Sequence, residues 1–372
     1  MKIVGSRQWA VSSLCRAARG RSFLRAVSCF LLLLSTAHCL LPTAYAGAWM
    51  KQRSGSLAWL HAVYFLNETR GWAVGGNGAL LTTDDGGNTW RALSPTTEDA
   101  LKDVYFADEQ NGWLVCERSI YDVRATTEPR AYLMRTTNGG ASWQKVNVTE
   151  RGVNARLVRA LFTKDGHGWT FGEAGMLYTT RDGGLSWERQ PVPTRHLLLG
   201  GSFISSVQGW VVGAGATILQ TFDGGETWRT NTLTMHADKS GTAAGHTQPV
   251  RFNAVSFVDW LHGWAVGDAG RVFMTNDGGH TWREQASNVM ADLYDVKFVD
   301  PVEGWAVGAE GTVIHTMDGG LRWVKEPSGT THALERLYFV NRNRGWAVGF
   351  GGTIITYAPL AGSPQAPKMK RN

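Results

Sequence analysis

Residues 62–93 read AVYFLNETRGWAVGGNGALLTTDDGGNTWRAL, and their pattern decides the fold. Four short apolar runs rich in Val, Leu, Trp, Tyr and Thr are separated by Gly, Asn and Asp, and none reaches the roughly 10 to 12 residues that a helix wants. The run ending at Phe65 opens an antiparallel meander that continues through 72–74 and 79–83. Asp85, Gly86 and Gly87 supply the next turn, because Gly adopts positive φ without steric cost and Asp can bond its own backbone two residues on. Trp90 begins a fourth strand.

The same unit recurs along the chain. A Gly-Trp pair stands at Trp72, Trp113, Trp169, Trp210, Trp264, Trp305 and Trp346, and a second tryptophan follows the first six at Trp90, Trp143, Trp187, Trp228, Trp282 and Trp323. Five of the six intervals from first to second tryptophan are 18 residues, and most of the following intervals are 23, so the period is 41. A period near 40 belongs to propeller blades or helical-pair repeats, and the short runs select the blade. The expected fold is therefore all-β, a seven-bladed β-propeller of four-stranded blades.

The last unit has its Gly-Trp at Trp346 and a third strand over 353–357, but then runs into Ala-Pro without a fourth strand. Trp49-Met50-Lys51-Gln52 resembles Trp143-Gln144-Lys145-Val146, and Trp49 precedes Trp72 by the regular 23 residues. The N-terminal strand thus completes the seventh blade, leaving no open edge between first and last blades. With Trp49 included, 14 of the 17 tryptophans obey the pattern, and Trp9, Trp59 and Trp260 fall outside it.

Residues 1–46 read as a signal peptide. Lys2, Arg7, Arg16, Arg19, Arg21 and Arg25 precede an apolar stretch over 26–41, and Ala44-Tyr45-Ala46 has the small-x-small form of a cleavage site. The stretch is shorter than the roughly 20 residues of a spanning helix, so no integral membrane segment is expected after cleavage. Cys29 and Cys39 lack the context of a lipoprotein site. The leader carries six basic residues and no acidic one, so the mature chain has 31 of each sign, and the calculated pI of 9.2 is no argument for nucleic acid. Cys116 alone remains, which excludes an intramolecular disulfide. The expected mature protein is a propeller over 47–357, with a disordered tail over 358–372.

Two insertions break the rhythm. One lies at 117–132 and lengthens a hairpin of the second blade; the other, polar, lies at 234–249.

The turns DDGGNTW, DGGLSW, DGGETW, DGGHTW and DGGLRW resemble the Asp-box of bacterial neuraminidase-type repeats. Their aspartates, Asp85, Asp182, Asp223, Asp277 and Asp318, read as caps of their own loops, and Asn138 in the second unit fits a hydrogen-bonding role. The whole unit, Gly-Trp-Ala-Val-Gly followed by the Asp-box, resembles the photosystem II stability and assembly factor family across 48–357. That resemblance implies a non-enzymatic, exported scaffold in a periplasmic or thylakoid-lumen-like compartment. It would bind a protein client, a membrane-protein subunit, during assembly or stabilisation of a membrane complex. An arginine patch is the surface that the family is thought to use. The alternative is an Asp-box glycoside hydrolase, sialidase- or xyloglucanase-like, or a carbohydrate-binding propeller.

Candidate sites lie where the repeat varies. Aligned on Phe65, Phe106, Phe162, Phe203, Phe257, Phe298 and Phe339, the innermost strands carry Ala62, Asp103, Arg159, Gly200, Ala254, Asp295 and Arg336 three residues earlier. These positions ring one mouth of the channel. Asp103 with Arg159, and Asp295 with Arg336, are expected as ion pairs between adjacent blades, or as a polar binding rim with Arg156 and Arg251. A second candidate is the arginine run Arg151, Arg156, Arg159, Arg181, Arg189 and Arg195. A glycosidase would need two carboxylates in a cleft, with Asp103, Asp295, Glu173 and Glu310 as candidates. The ten histidines show no ligand spacing, so no metal, cofactor or catalytic residue is assigned, and the protein is expected to be a monomer.

Overall fold

The computed structural model describes residues 47–93, 97–123, 127–231 and 250–359. The leader, the insertion at 234–249 and the residues after Pro359 lie outside the described residues. Seven antiparallel four-stranded sheets follow one another in sequence. The first six blades occupy 60–92, 100–146, 157–189, 198–230, 252–285 and 293–325. The seventh takes its three inner strands from 334–359 and its outer strand from Gly47–Gln52. Trp49 lies opposite Tyr357, as the tryptophan spacing requires, and the strand runs on to Pro359 because Gly47 pairs with it.

One aromatic arrangement recurs at the blade interfaces. The phenylalanine that ends an innermost strand stacks on the Gly-Trp indole of the preceding blade: Phe106 on Trp72 at 3.6 Å between centroids, Phe257 on Trp210 at 3.5 Å, and Phe65 on Trp346 at 3.4 Å, the last joining blades one and seven. The second tryptophan of the same blade meets that ring edge-on, and Trp49 does so against Phe339 at 5.9 Å and 87°. Such pairs contribute about 0.5–1.5 kcal/mol each beyond area burial. The glycine before each Gly-Trp indole is required by this packing: a Cβ on Gly71 would lie 2.5 Å from the Phe65 ring.

The Asp-boxes act as caps. Thr83 Oγ1 donates to Asp85 Oδ1 at 2.8 Å and accepts from the Gly87 amide, while the Thr89 amide and hydroxyl donate to the Asp85 carboxylate. The bonds from Thr89 hold the Asp85 pKa down to about 2. In the second blade Asn138 keeps the accepting oxygen and uses its amide to donate to Ser142. The boxes also tie blades together, since the indoles of Trp169, Trp210, Trp264 and Trp346 donate to the Gly224, Gly278, Gly319 and Gly86 carbonyls of the next blade.

Blade seven has no Asp-box, so the indole N–H of Trp305 lacks that acceptor. Its ring stacks instead on His315 at 4.3 Å. His315 lies between Glu326 (2.9 Å) and Glu303 (3.5 Å), and Glu326 also accepts from the Trp49 indole at 2.9 Å. Burial would lower the His315 pKa, but the two carboxylates outweigh it and the net direction is upward.

The insertion at 117–132 does lengthen a hairpin. Gly112–Glu117 pairs with Ala131–Thr136 out to Glu117 and Ala131, with a helical turn at Ile120–Val123.

Candidate functional site

Every innermost strand carries a β-bulge. The register shifts between Leu60 and Ala62, Leu101 and Asp103, Leu157 and Arg159, Leu198 and Gly200, Phe252 and Ala254, Leu293 and Asp295, and Leu334 and Arg336. A bulge leaves one residue unpaired and re-aims its neighbours. The seven unpaired residues, His61, Lys102, Val158, Leu199, Asn253, Tyr294 and Glu335, all line one cavity of about 510 Å³. This is the channel mouth, and every blade contributes to it.

The mouth is amphoteric and has an aromatic edge. Lys102, Arg251, Asp268, Asp292 and Glu335 share its wall with Trp59, which is 44% exposed. The Trp59 indole donates to Glu335 Oε1 at 3.2 Å and its ring meets Phe350 edge-on at 5.5 Å. Burial pushes the His61 pKa down to about 3, with Lys102 adding to the effect, so this imidazole is neutral. Burial likewise raises the Glu335 carboxyl and lowers the Lys102 ammonium, each opposed by the other's charge.

Four charged side chains meet at the floor of the mouth, Asp103, Arg159 and Asp295 buried and Arg336 half-buried, and both arginines line the cavity. Arg159 Nη2 reaches Asp295 Oδ1 at 2.9 Å, and Arg336 Nη2 lies 3.8 Å from Asp103 Oδ1. The pairing expected between adjacent blades is therefore corrected: each arginine spans to a carboxylate two or three blades away. The cause is local. The second oxygen of Asp103 accepts from the Ala160 amide and that of Asp295 from the Leu337 amide, both at 3.0 Å. Each carboxylate is thus pinned to the next blade's strand, one residue past the arginine, and the guanidinium extends across the channel. Burial pushes the Asp103 pKa up to about 7, against the pull of Arg159 and of the Ala160 and Val104 amides. These residues plug the channel while their two arginines contribute to the cavity floor, and removing one partner of such a pair strands the other in low dielectric.

The structure separates the remaining candidates. Arg251 lines the mouth. Arg156 is one-third exposed and forms an ion pair with Glu173 at 2.9 Å, while its backbone amide donates to the same carboxylate at 3.2 Å. Arg195 and Arg189 line a smaller pocket of about 390 Å³ beside Ala174. Arg181 follows Thr180, which is level with Gly168 and Phe162, at the end of the blade away from the mouth, where it pairs with Glu226 at 2.5 Å. The arginine run is therefore not one patch. Of the candidate acids, Glu173 is engaged by Arg156 and Arg130, and Asp103 and Asp295 lie in the plug.

Two features of the mouth escaped the sequence reading. Trp59 was visible as a tryptophan outside the repeat. The unpaired ring was not, because strict alternation puts those side chains on the other face of the strand and only the bulge brings them inward.

A family profile described as photosynthesis system II assembly factor YCF48 matches residues 89–196, 186–284 and 285–358. The photosystem II assembly lipoprotein Ycf48 of Synechococcus sp. (strain CC9902) is 29% identical over 151 residues, which are 40% of this chain and 41% of the relative. The chain thus matches about two fifths of that relative's length. Among solved structures, YCF48 bound to D1 peptide superposes with a TM-score of 0.66 at 19% identity, over 83% of this chain and 96% of that one. The GH74 xyloglucanase from Xanthomonas campestris gives 0.62 at 14% identity, over 87% of this chain and 55% of that one. These likenesses concern the fold.

Proposed function

The chain belongs to the photosynthesis system II assembly factor YCF48 family, and from that premise we propose that it is an exported, non-enzymatic, monomeric scaffold that binds a protein client at the channel mouth. The client is an extended segment of a membrane-protein subunit, held while its complex assembles, as the solved YCF48 holds a D1 peptide. The leader over 1–46 is removed on export, leaving the ring in a periplasmic or lumen-like compartment. No helix among the described residues is long and apolar enough to cross a membrane.

One observation carries the reading: the unpaired bulge residues of all seven blades, which differ in chemistry from blade to blade, converge on a single cavity. Trp59 and Phe350 offer an apolar anchor, and Arg251, Lys102, Asp268, Asp292 and Glu335 offer charges of both signs for backbone and side-chain polar groups of a peptide. Anchors of this kind, aromatic or arginine beside a pocket, carry most of the energy of protein recognition. The hydrolase reading is less well supported, because Asp103, Asp295 and Glu173 are engaged in ion pairs or amide bonds and Glu310 is exposed beside a separate pocket lined by Lys51 and Lys325.

The test is peptide capture by the purified full chain, using membrane-protein segments that include D1 sequences. Trp59→Ala and Arg251→Glu should each weaken capture by about tenfold or more, while Arg181→Glu at the other end should not. Equal loss from Arg181→Glu, or sugar release from xyloglucan by the wild type, would contradict the proposal.

A further inference from the structure

The face opposite the mouth is divided by chemistry. It is built from the turns that follow each innermost strand and from the Asp-box turns, since Phe65, Gly71 and Thr83 lie level in the register. On blades one to three the exposed tips after the innermost strands are polar, Asn67, Glu68 and Thr69, then Asp108, Glu109 and Gln110, then Lys164 and Asp165, and Leu185 in the Asp-box turn of blade three is an exposed apolar residue at the edge of this half. On blades four to six each of these tips displays an exposed apolar residue. Val207, Trp260 and Val302 are 53%, 62% and 52% exposed, and Phe222, Met317 and Leu321 in the Asp-box turns are 50%, 47% and 72% exposed.

These side chains are displayed by the backbone. Asp259 accepts from the Leu261 and His262 amides, Asp300 from those of Val302 and Glu303, and Ser205 from that of Gln208, so each tip is held in a capped turn. Phe222 and Met317 stand between the threonine and the aspartate of their boxes, where the other boxes carry Asp84, Thr137, Arg181 and Asn276. The box does not require an apolar residue there.

Both ends of the ring leave from this face, because Gly47 pairs with Pro359 beyond Tyr357, which is level with Gly345 and Phe339. With the leader removed, the chain after Pro359 remains and ends with Lys368, Lys370 and Arg371. A basic segment suited to anionic headgroups is thus joined to the face that bears the apolar arc.

We propose that the arc on blades four to six is a lipid-docking surface, with Trp260 and Phe222 entering the interfacial layer of a bilayer and the mouth turned away from it. Aromatic side chains favour that layer because one part is apolar and the rest tolerates water. The surface is independent of what the mouth binds.

The experiment mixes the purified exported chain, processed after Ala46, with phosphatidylcholine–phosphatidylglycerol vesicles brominated in their acyl chains and follows tryptophan emission. Bromine should quench part of the emission, and Trp260→Phe should abolish that part while Trp59→Phe, on the mouth face, keeps it. Phe222→Ser combined with Met317→Ser should lower vesicle partition by about tenfold or more with an unchanged unfolding midpoint. Equal quenching in wild type and Trp260→Phe would overturn the proposal. So would a dimer in sedimentation velocity that Phe222→Ser splits, since the arc would then seat a second copy.

Discussion

Replacing Trp49 with alanine removes the one indole that the N-terminal strand contributes to the seventh blade, and its cost can be worked from the contacts. The side chain is 7% exposed, meets Phe339 edge-on at 5.9 Å and Tyr357 at 5.4 Å, and donates to Glu326 at 2.9 Å. Truncating a buried tryptophan costs about 3–5 kcal/mol, cavity included, and the lost bond to a carboxylate places Trp49→Ala in the upper half of that range. With about 2.1 cal/mol/K of unfolding entropy per residue over roughly 310 residues, 4 kcal/mol corresponds to a fall of about 6 °C in the unfolding midpoint. Thermal and denaturant unfolding of the purified chain measure it. A double-mutant cycle with Phe339→Leu should return a coupling of about 0.5–1.5 kcal/mol. A loss below about 0.5 kcal/mol, the size of an ordinary surface change, would refute closure of the ring through this strand.

Three further outcomes follow from the same contacts. The Asp103 pKa rises from 3.8 to about 7 in the folded chain, so its contribution to stability is full below pH 3.8 and is lost as pH rises through about 7; denaturant midpoints of Asp103→Asn should be flatter than wild type across that window, and parallel curves would contradict it. Gly71→Ala places a Cβ 2.5 Å from Phe65, which is clamped between Trp346 and Trp90, so overpacking should cost about 1–3 kcal/mol in denaturant unfolding. Asp223→Ala unpairs the Thr227 amide and hydroxyl and the Thr221 hydroxyl, and should accelerate hydrogen exchange in the fourth blade's box before it affects other blades.

The ring was legible because its determinants are local and repeated. Gly-Trp, the phenylalanine seven residues earlier and the Asp-box each serve one interface, so spacing alone recovered blade number, strand order and the role of Trp49. The site was legible only in part. Asp103, Arg159, Asp295 and Arg336 were found by asking where the repeat varies, but their partners depend on reach across a channel, which sequence distance does not encode. The ring of His61, Lys102 and their equivalents was hidden by a bulge that breaks alternation at one residue. Arg181 joined Arg156 and Arg195 in the sequence reading because they are close along the chain, yet an antiparallel blade sends residues about twenty positions apart to opposite faces.

The proposed client site is tested most directly by where a bound segment can be trapped. A photoreactive benzoyl-phenylalanine placed at Tyr294 or His61 in the mouth, and separately at Asn67 on the opposite face, is irradiated with a captured membrane-protein peptide. Cross-links from Tyr294 and His61 with none from Asn67 are the predicted result. Cross-links from Asn67 with none from either mouth position would contradict the placement of the client at the channel mouth.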